Sequence, residues 1–210
     1  MNGTEGSDFM TKIADNQYPI HDLLRRRWSP RAFSDRKVEP GKLQSLLEAA
    51  RWAPSCFNEQ PWRFIIATNE DRTEYERLLD CLMEGNKQWA QGAPVLMLSV
   101  AKLRFDRNGR ENRHALHDVG LAVENLVIQA TALGLFVHQM AGFDVQKARE
   151  QFSIPEGYEP VAAIAVGYLA QPSTLPDDLR ERESTPRSRN PLKDFVFTGR
   201  WGQTSSLVAD

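Results

Sequence analysis

The run Ala53-Pro54-Ser55-Cys56-Phe57-Asn58-Glu59-Gln60-Pro61-Trp62 constrains the fold of this chain more than any other segment. Before it, Leu43, Leu46, Leu47 and Ala50 recur at helical spacing after Pro40-Gly41. After it, Phe64-Ile65-Ile66-Ala67 reads as a buried strand. Pro54 stops the helix, and Pro61 leads into the strand, so the chain must turn between them. A turn carrying Ser, Asn, Gln and Trp between two prolines suits the binding of a flat polar ring.

The remaining pattern alternates between the two periodicities. Tyr75, Leu78, Leu79 and Leu82 define a second helix face, and Pro94 to Val100 a second buried strand. Lys102 to Arg113 is charged, contains Asn108-Gly109, and reads as an exposed loop. His114 to Leu133 is a long helix pattern that is apolar on more than one face, which places it centrally or at an interface. Leu135 to His138 is a short strand candidate, Asp144 caps a helix running to Gln151, and Val161 to Tyr168 is a third clear strand. Gln171 to Asn190 is rich in Pro, Arg and Glu and offers no core face, after which Phe195-Val196-Phe197 is again apolar. Interleaved helices and strands without an internal repeat imply an α/β or α+β class. A length of 210 residues fits a single domain over 18–210, preceded by a polar, flexible arm over 1–17.

Charge excludes several partners. Lys plus Arg number 26 against 28 Asp plus Glu, so nothing draws the whole surface to nucleic acid or to an anionic membrane. No run of about 18 apolar residues predicts a membrane span, and a cytoplasmic location is the expectation. Two cysteines, Cys56 and Cys81, do not make a zinc site or a disulfide scaffold. No metal site is expected.

Basic residues are instead local. Arg25-Arg26-Arg27 lies far in sequence from Arg187 and Arg189. Forked, permanently charged guanidinium groups are what a phosphate needs, and two such clusters could meet on one phosphate or remain separate solvated turns. Neither a G-x-G-x-x-G fingerprint nor a Walker-type glycine loop is present, so any nucleotide would be held by side chains.

Four motifs in order carry a resemblance. They are Arg27-Trp28-Ser29-Pro30-Arg31-Ala32-Phe33; Ala53 to Trp62; Ala132-Leu133-Gly134-Leu135 followed by Ala141-Gly142-Phe143; and Arg187-Ser188-Arg189-Asn190-Pro191. In order and spacing, from about residue 20 to the C-terminus, the chain resembles the nitroreductase family. The resemblance implies an α+β sandwich in which helices flank a central mixed, mainly antiparallel sheet. It also implies a homodimer that exchanges its C-terminal strand, non-covalent FMN at the subunit interface, and NAD(P)H as electron donor to a small-molecule acceptor.

For individual residues the resemblance implies the following. Arg27 and Arg189, with Arg187, hold the FMN phosphate, and Arg31 belongs to the same segment. Ser29 meets the ribityl chain or phosphate, and Trp28, standing where relatives often carry a basic or small polar residue, either removes one flavin contact or shapes the pocket wall. Pro54, Ser55 and Cys56 line the ring from the partner subunit, and Asn58 bonds its ribityl side. Asn86, in the turn before the second strand, reads the pyrimidine edge. Gln139, Met140, Ala141 and Gly142 pack over the ring. No side-chain acid or base is needed for hydride transfer, so no catalytic residue is assigned, and His117 and His138 are expected to be structural or on the surface. Two other readings remain open: a flavin-binding or storage protein without turnover, and a relative with different flavin chemistry.

Overall fold

The computed structural model describes residues 12–209; residues 1–11, which include most of the expected N-terminal arm, and residue 210 lie outside the described residues. The elements are α1 (Asp22–Arg26), α2 (Pro40–Arg51), β1 (Trp62–Thr68), α3 (Arg72–Asp80), α4 (Glu84–Ala90), β2 (Val95–Lys102), α5 (Ala115–Ala132), β3 (Phe136–Met140), α6 (Val145–Gln151), β4 (Tyr158–Gly167) and α7 (Asp177–Ser184). The strands form one four-stranded sheet in the order β1-β2-β4-β3, and all three pairings are antiparallel. This is the expected α+β sandwich.

The central strand β2 explains the two-sided core. Its residues are buried from Val95 to Ala101. Leu96, Leu98 and Val100 face a cluster with Tyr75, Leu78, Trp89, Phe143 and Ala148, whereas Val95, Met97 and Ala101 face Leu46, Val119, Val123 and Leu126. Helices α3, α4 and α6 therefore cover one face, and α2 and α5 the other. A strand buried on both sides needs a near-continuous apolar run; here Ser99 alone interrupts it, its hydroxyl donating to the Ala162 carbonyl at 3.1 Å.

The helix boundaries follow from local chemistry. Pro40 occupies the first turn of α2, where its missing N–H costs nothing. Asp71 and Asp144 accept the backbone N–H groups of Glu74 and Lys147, capping α3 and α6. The last turn of α5 closes through Gly134 at φ +72°, a conformation that glycine adopts without strain.

Four differences from the sequence reading stand out. The strand at Phe64–Ala67 is an edge, so Ile65 is half-buried and Ile66 exposed. Asn86 lies in the first turn of a helix, α4, rather than in a turn, because Trp89 and Ala90 give that short segment a buried face. The Gln171–Asn190 stretch contains α7, whose Leu179, with Leu175 just ahead of the helix, joins the core. Phe195–Phe197 does not enter this chain's sheet; it forms a small hairpin instead, through Phe197 and Thr204.

Gly167 ends β4 where there is no room for a side chain. An added Cβ would lie 2.6 Å from Pro94 Cδ and 3.1 Å from the ring of Phe33. Gly167→Ala should therefore destabilise the protein by about 1–3 kcal/mol. Gly41→Ala, with open space in the first turn of α2, should be neutral or stabilising by up to about 1 kcal/mol. Urea unfolding midpoints of the two variants measure the difference.

Candidate functional site

The two arginine clusters meet. A cavity of about 300 Å³ is lined by Arg27, Trp28, Ser29 and Arg31 on one side and by Arg187 and Arg189 on the other, with Lys12, Arg182 and Glu183 completing its wall. Of the first cluster only Arg27 lines the cavity: Arg26 pairs with Asp22 at 2.6 Å, and Arg25 contributes its carbonyl. Arg187 donates to the carbonyls of Lys12 at 2.8 Å and Arg25 at 2.9 Å, which stitches the C-terminal segment to the N-terminal one. The Arg187 guanidinium is held below its ordinary value by burial and by the neighbouring charges of Arg27 and Arg189. Cations gathered this closely favour an anion among them.

Glu183 makes the gathering possible, and the sequence reading did not single it out. It is buried on α7. Its carboxylate accepts the N–H of Arg31 at 2.9 and 3.1 Å and that of Ala32 at 3.2 Å, and the Arg31 guanidinium lies 3.9 Å away. Among the described residues, the only carboxylate in the cavity wall is thus committed to holding the Pro30–Ala32 turn. Leu175, Leu179 and Glu183 recur four residues apart, a one-face spacing that could have revealed it.

His138 fastens the same turn to β3. Its Nδ1 lies 2.7 Å from the Pro30 carbonyl and, as the N–H tautomer, donates to it, while its ring packs on Trp89. Burial pushes its pKa down to about 4. Trp28 is also buried, edge-on to Phe136, and its Nε1 has no acceptor among the described residues. Ser29 lies 3.5 Å from Arg27, a long contact that leaves its hydroxyl available.

The other expected residues form two further groups outside this cavity. In the first, Asn86 donates to the Gly142 carbonyl at 2.9 Å, and the Met83 N–H reaches the same oxygen at 3.0 Å. A Cβ on Gly142 would meet Asn86 Nδ2 at 2.7 Å, so this approach requires glycine. The amide nitrogen of Asn86 is thus spent on positioning the loop after β3. Gln139 and Ala141 are exposed, whereas the Met140 side chain packs in the core, leaving only its backbone for contacts at the surface.

In the second group, the Ala53–Trp62 turn is held in an unusual shape. Phe57, Asn58 and Gln60 have φ of 55°, 57° and 49°, each a strained position for a residue with a side chain. Ser55 Oγ accepts the Gln60 N–H at 3.0 Å, and the buried Asp118 of α5 accepts the Cys56 N–H at 3.0 Å. Pro54, Phe57 and Asn58 are exposed, with Arg107 stacked 3.9 Å above the Phe57 ring. Trp62 is a core anchor.

A larger cavity of about 650 Å³, walled by Leu103, Arg104, Glu111, Arg149 and Tyr158, contains none of the expected residues. Its charges are mixed, and Arg149 is paired with Glu159. Among the described residues, no group of three or more His, Cys, Asp or Glu could hold a metal ion, and no helix is long and apolar enough to cross a membrane.

The family model described as the nitroreductase family matches residues 24–168. The chain belongs to the nitroreductase family. It is accordingly an oxidoreductase. A Mycolicibacterium smegmatis protein, described as an uncharacterized 15.4 kDa protein in the ask 5′ region, is 37% identical, with 67% of this chain and 97% of that one covered. A Stenotrophomonas maltophilia protein, provisionally named NADH dehydrogenase/NAD(P)H nitroreductase, is 29% identical over 71% of this chain and 84% of its own. Among solved structures, one described as an oxidoreductase containing FMN superposes with a TM-score of 0.84 at 38% identity, covering 90% of this chain and 96% of that one.

Two outcomes follow from this geometry. Glu183→Ala leaves two backbone N–H groups without their acceptor and should cost about 2–4 kcal/mol in urea unfolding. For His138, the unfolded chain takes up a proton near pH 6.5 and the folded protein only near pH 4. Stability present above the unfolded value should therefore fall as pH drops from about 6.5 toward 4. His138→Asn, which keeps a donor toward Pro30 and does not titrate, should flatten that part of the stability–pH profile.

Proposed function

We propose that the protein is an FMN-dependent NAD(P)H oxidoreductase, active as a homodimer, that transfers electrons to a small electrophilic acceptor such as a nitroaromatic or a quinone. The observation that carries this reading is the convergence of Arg27, Arg187 and Arg189 on one cavity beside the edge strand β3. The donor set fits a phosphate monoester: among the described residues, several guanidinium groups with little counter-charge, a Ser29 hydroxyl still able to donate, and a buried indole N–H on Trp28 without an acceptor.

In this reading Arg27, Arg187 and Arg189 hold the phosphate of non-covalent FMN, and Ser29 and Arg31 stand along the adjoining chain. Gln139, Met140, Ala141 and Gly142 line the ring through exposed side chains and backbone, held in place by Asn86. Pro54, Ser55, Cys56 and Asn58 lie outside the phosphate cavity of their own chain, which supports their serving the site of the other subunit. Bound FMN supplies the two-electron hydride chemistry. The protein binds and orients the cofactor, keeps one face open for the nicotinamide and then the acceptor in ping-pong order, and keeps water from the rest. No side chain has to move a proton for the first half-reaction.

Dimerisation is supported by unpartnered apolar surface. Leu116 on α5, Trp52 after α2, and Phe195, Trp201 and Leu207 near the C-terminus are all exposed. A C-terminal segment with its own apolar residues and no place in its own sheet suits exchange with a second subunit.

The test is an absorption spectrum of the purified protein, taken anaerobically before and after NADH and then NADPH. An oxidised flavin spectrum that bleaches is expected, and Arg189→Ala should raise the FMN dissociation constant about tenfold or more. A colourless protein that FMN cannot reconstitute would overturn the reading. A bound flavin that stays oxidised would point to a binding protein without turnover.

A further inference from the structure

Lys12 belongs to none of the sequence motifs and lies ahead of the matched region, yet it lines the arginine cavity. Its ammonium donates to the Thr185 carbonyl at 2.7 Å and stands 5.0 Å from the centre of the Trp28 ring. Its own carbonyl receives Arg187. Two residues further on, the Ala14 N–H bonds the Arg25 carbonyl at 2.9 Å, the oxygen that also receives Arg187. The segment around Lys12 is therefore sewn to both arginine clusters at once.

The charge count at this place is uneven. Among the described residues, six cationic side chains, Lys12 and five arginines, line the cavity with a single carboxylate. That carboxylate, Glu183, is occupied by the backbone of Arg31 and Ala32. The Lys12 ammonium is lowered from its ordinary value, chiefly by burial, with Arg31 and Arg187 adding to the effect and Glu183 opposing it. An ammonium has three donors, and Thr185 uses one. The Trp28 ring that Lys12 faces is buried, and its indole N–H has no acceptor among the described residues.

We propose that Lys12 is a direct ligand of the anionic group held in this cavity, so that a phosphorylated ligand fastens Lys12 across its own binding site. Resting on the functional reading above, that group is the FMN phosphate. Lys12 then contributes a charge-assisted bond that riboflavin, which has the same ring and ribityl chain but no phosphate, does not receive.

Equilibrium binding of FMN and of riboflavin to the apoprotein, read by flavin fluorescence, tests this with wild type, Lys12→Met and Lys12→Arg. Lys12→Met should weaken FMN about tenfold and leave riboflavin unchanged; Lys12→Arg should retain FMN affinity within about threefold. If FMN affinity is the same in Lys12→Met and wild type, the proposal is wrong while the functional reading stands. Equal weakening of FMN and riboflavin also overturns it, because Lys12 would then act only on the fold. A wild-type protein that binds neither flavin sinks the functional reading itself.

Discussion

A single buried carboxylate organises the cationic end of this molecule. Glu183 reaches from α7 to the backbone of Arg31 and Ala32 and fixes the turn that carries Trp28, Ser29 and Arg31. A buried charge of this kind persists only when its lone pairs are filled, and backbone N–H donors supply its short bonds, with the Arg31 guanidinium more distant at 3.9 Å. The surrounding arginines are therefore left with unspent charge. His138 adds a second tie from β3 to the Pro30 carbonyl. Between them the two contacts hold the arginine-lined cavity against the edge of the sheet.

The rest of the candidate site obeys the same economy of small fixed contacts. Gly142 is drawn close to α4 by the amide of Asn86 and the N–H of Met83, and only glycine permits that approach. The Ala53–Trp62 turn keeps three side-chain-bearing residues in the left-handed region, stabilised by Ser55 and by Asp118 at the start of α5. Strain of this sort survives where the surroundings over-determine the conformation. Here it exposes Phe57 and Asn58 rather than burying them.

Much of this was legible in the sequence. The two-sided burial of β2 follows from its apolar run, interrupted only by Ser99, and the cap at Asp144 falls where its side chain can reach an orphan N–H group. The motif order identified the family, and Arg27, Arg187 and Arg189 were named before they could be seen to meet. What remained hidden depended on pairing across long distances. Glu183 looked like one more solvent-facing charge because its partners are backbone groups some 150 residues away. Asn86 looked like a turn former because the buried face of α4 rests on Trp89 and Ala90 alone. Lys12 gave no signal, since a lone lysine in a polar segment has no periodicity to read. The edge position of β1 was likewise invisible, because strand order is a property of the sheet and not of the strand.

The most direct test of the account is a crystal structure of the protein grown with FMN. The account predicts a dimer in which the phosphate lies among Arg27, Arg187 and Arg189. The ring should be bordered by Gln139–Gly142 of the same chain and by the Pro54–Asn58 turn of the other. A phosphate bound away from those arginines, or a ring enclosed by one chain with both turns contributed by it, would contradict the account.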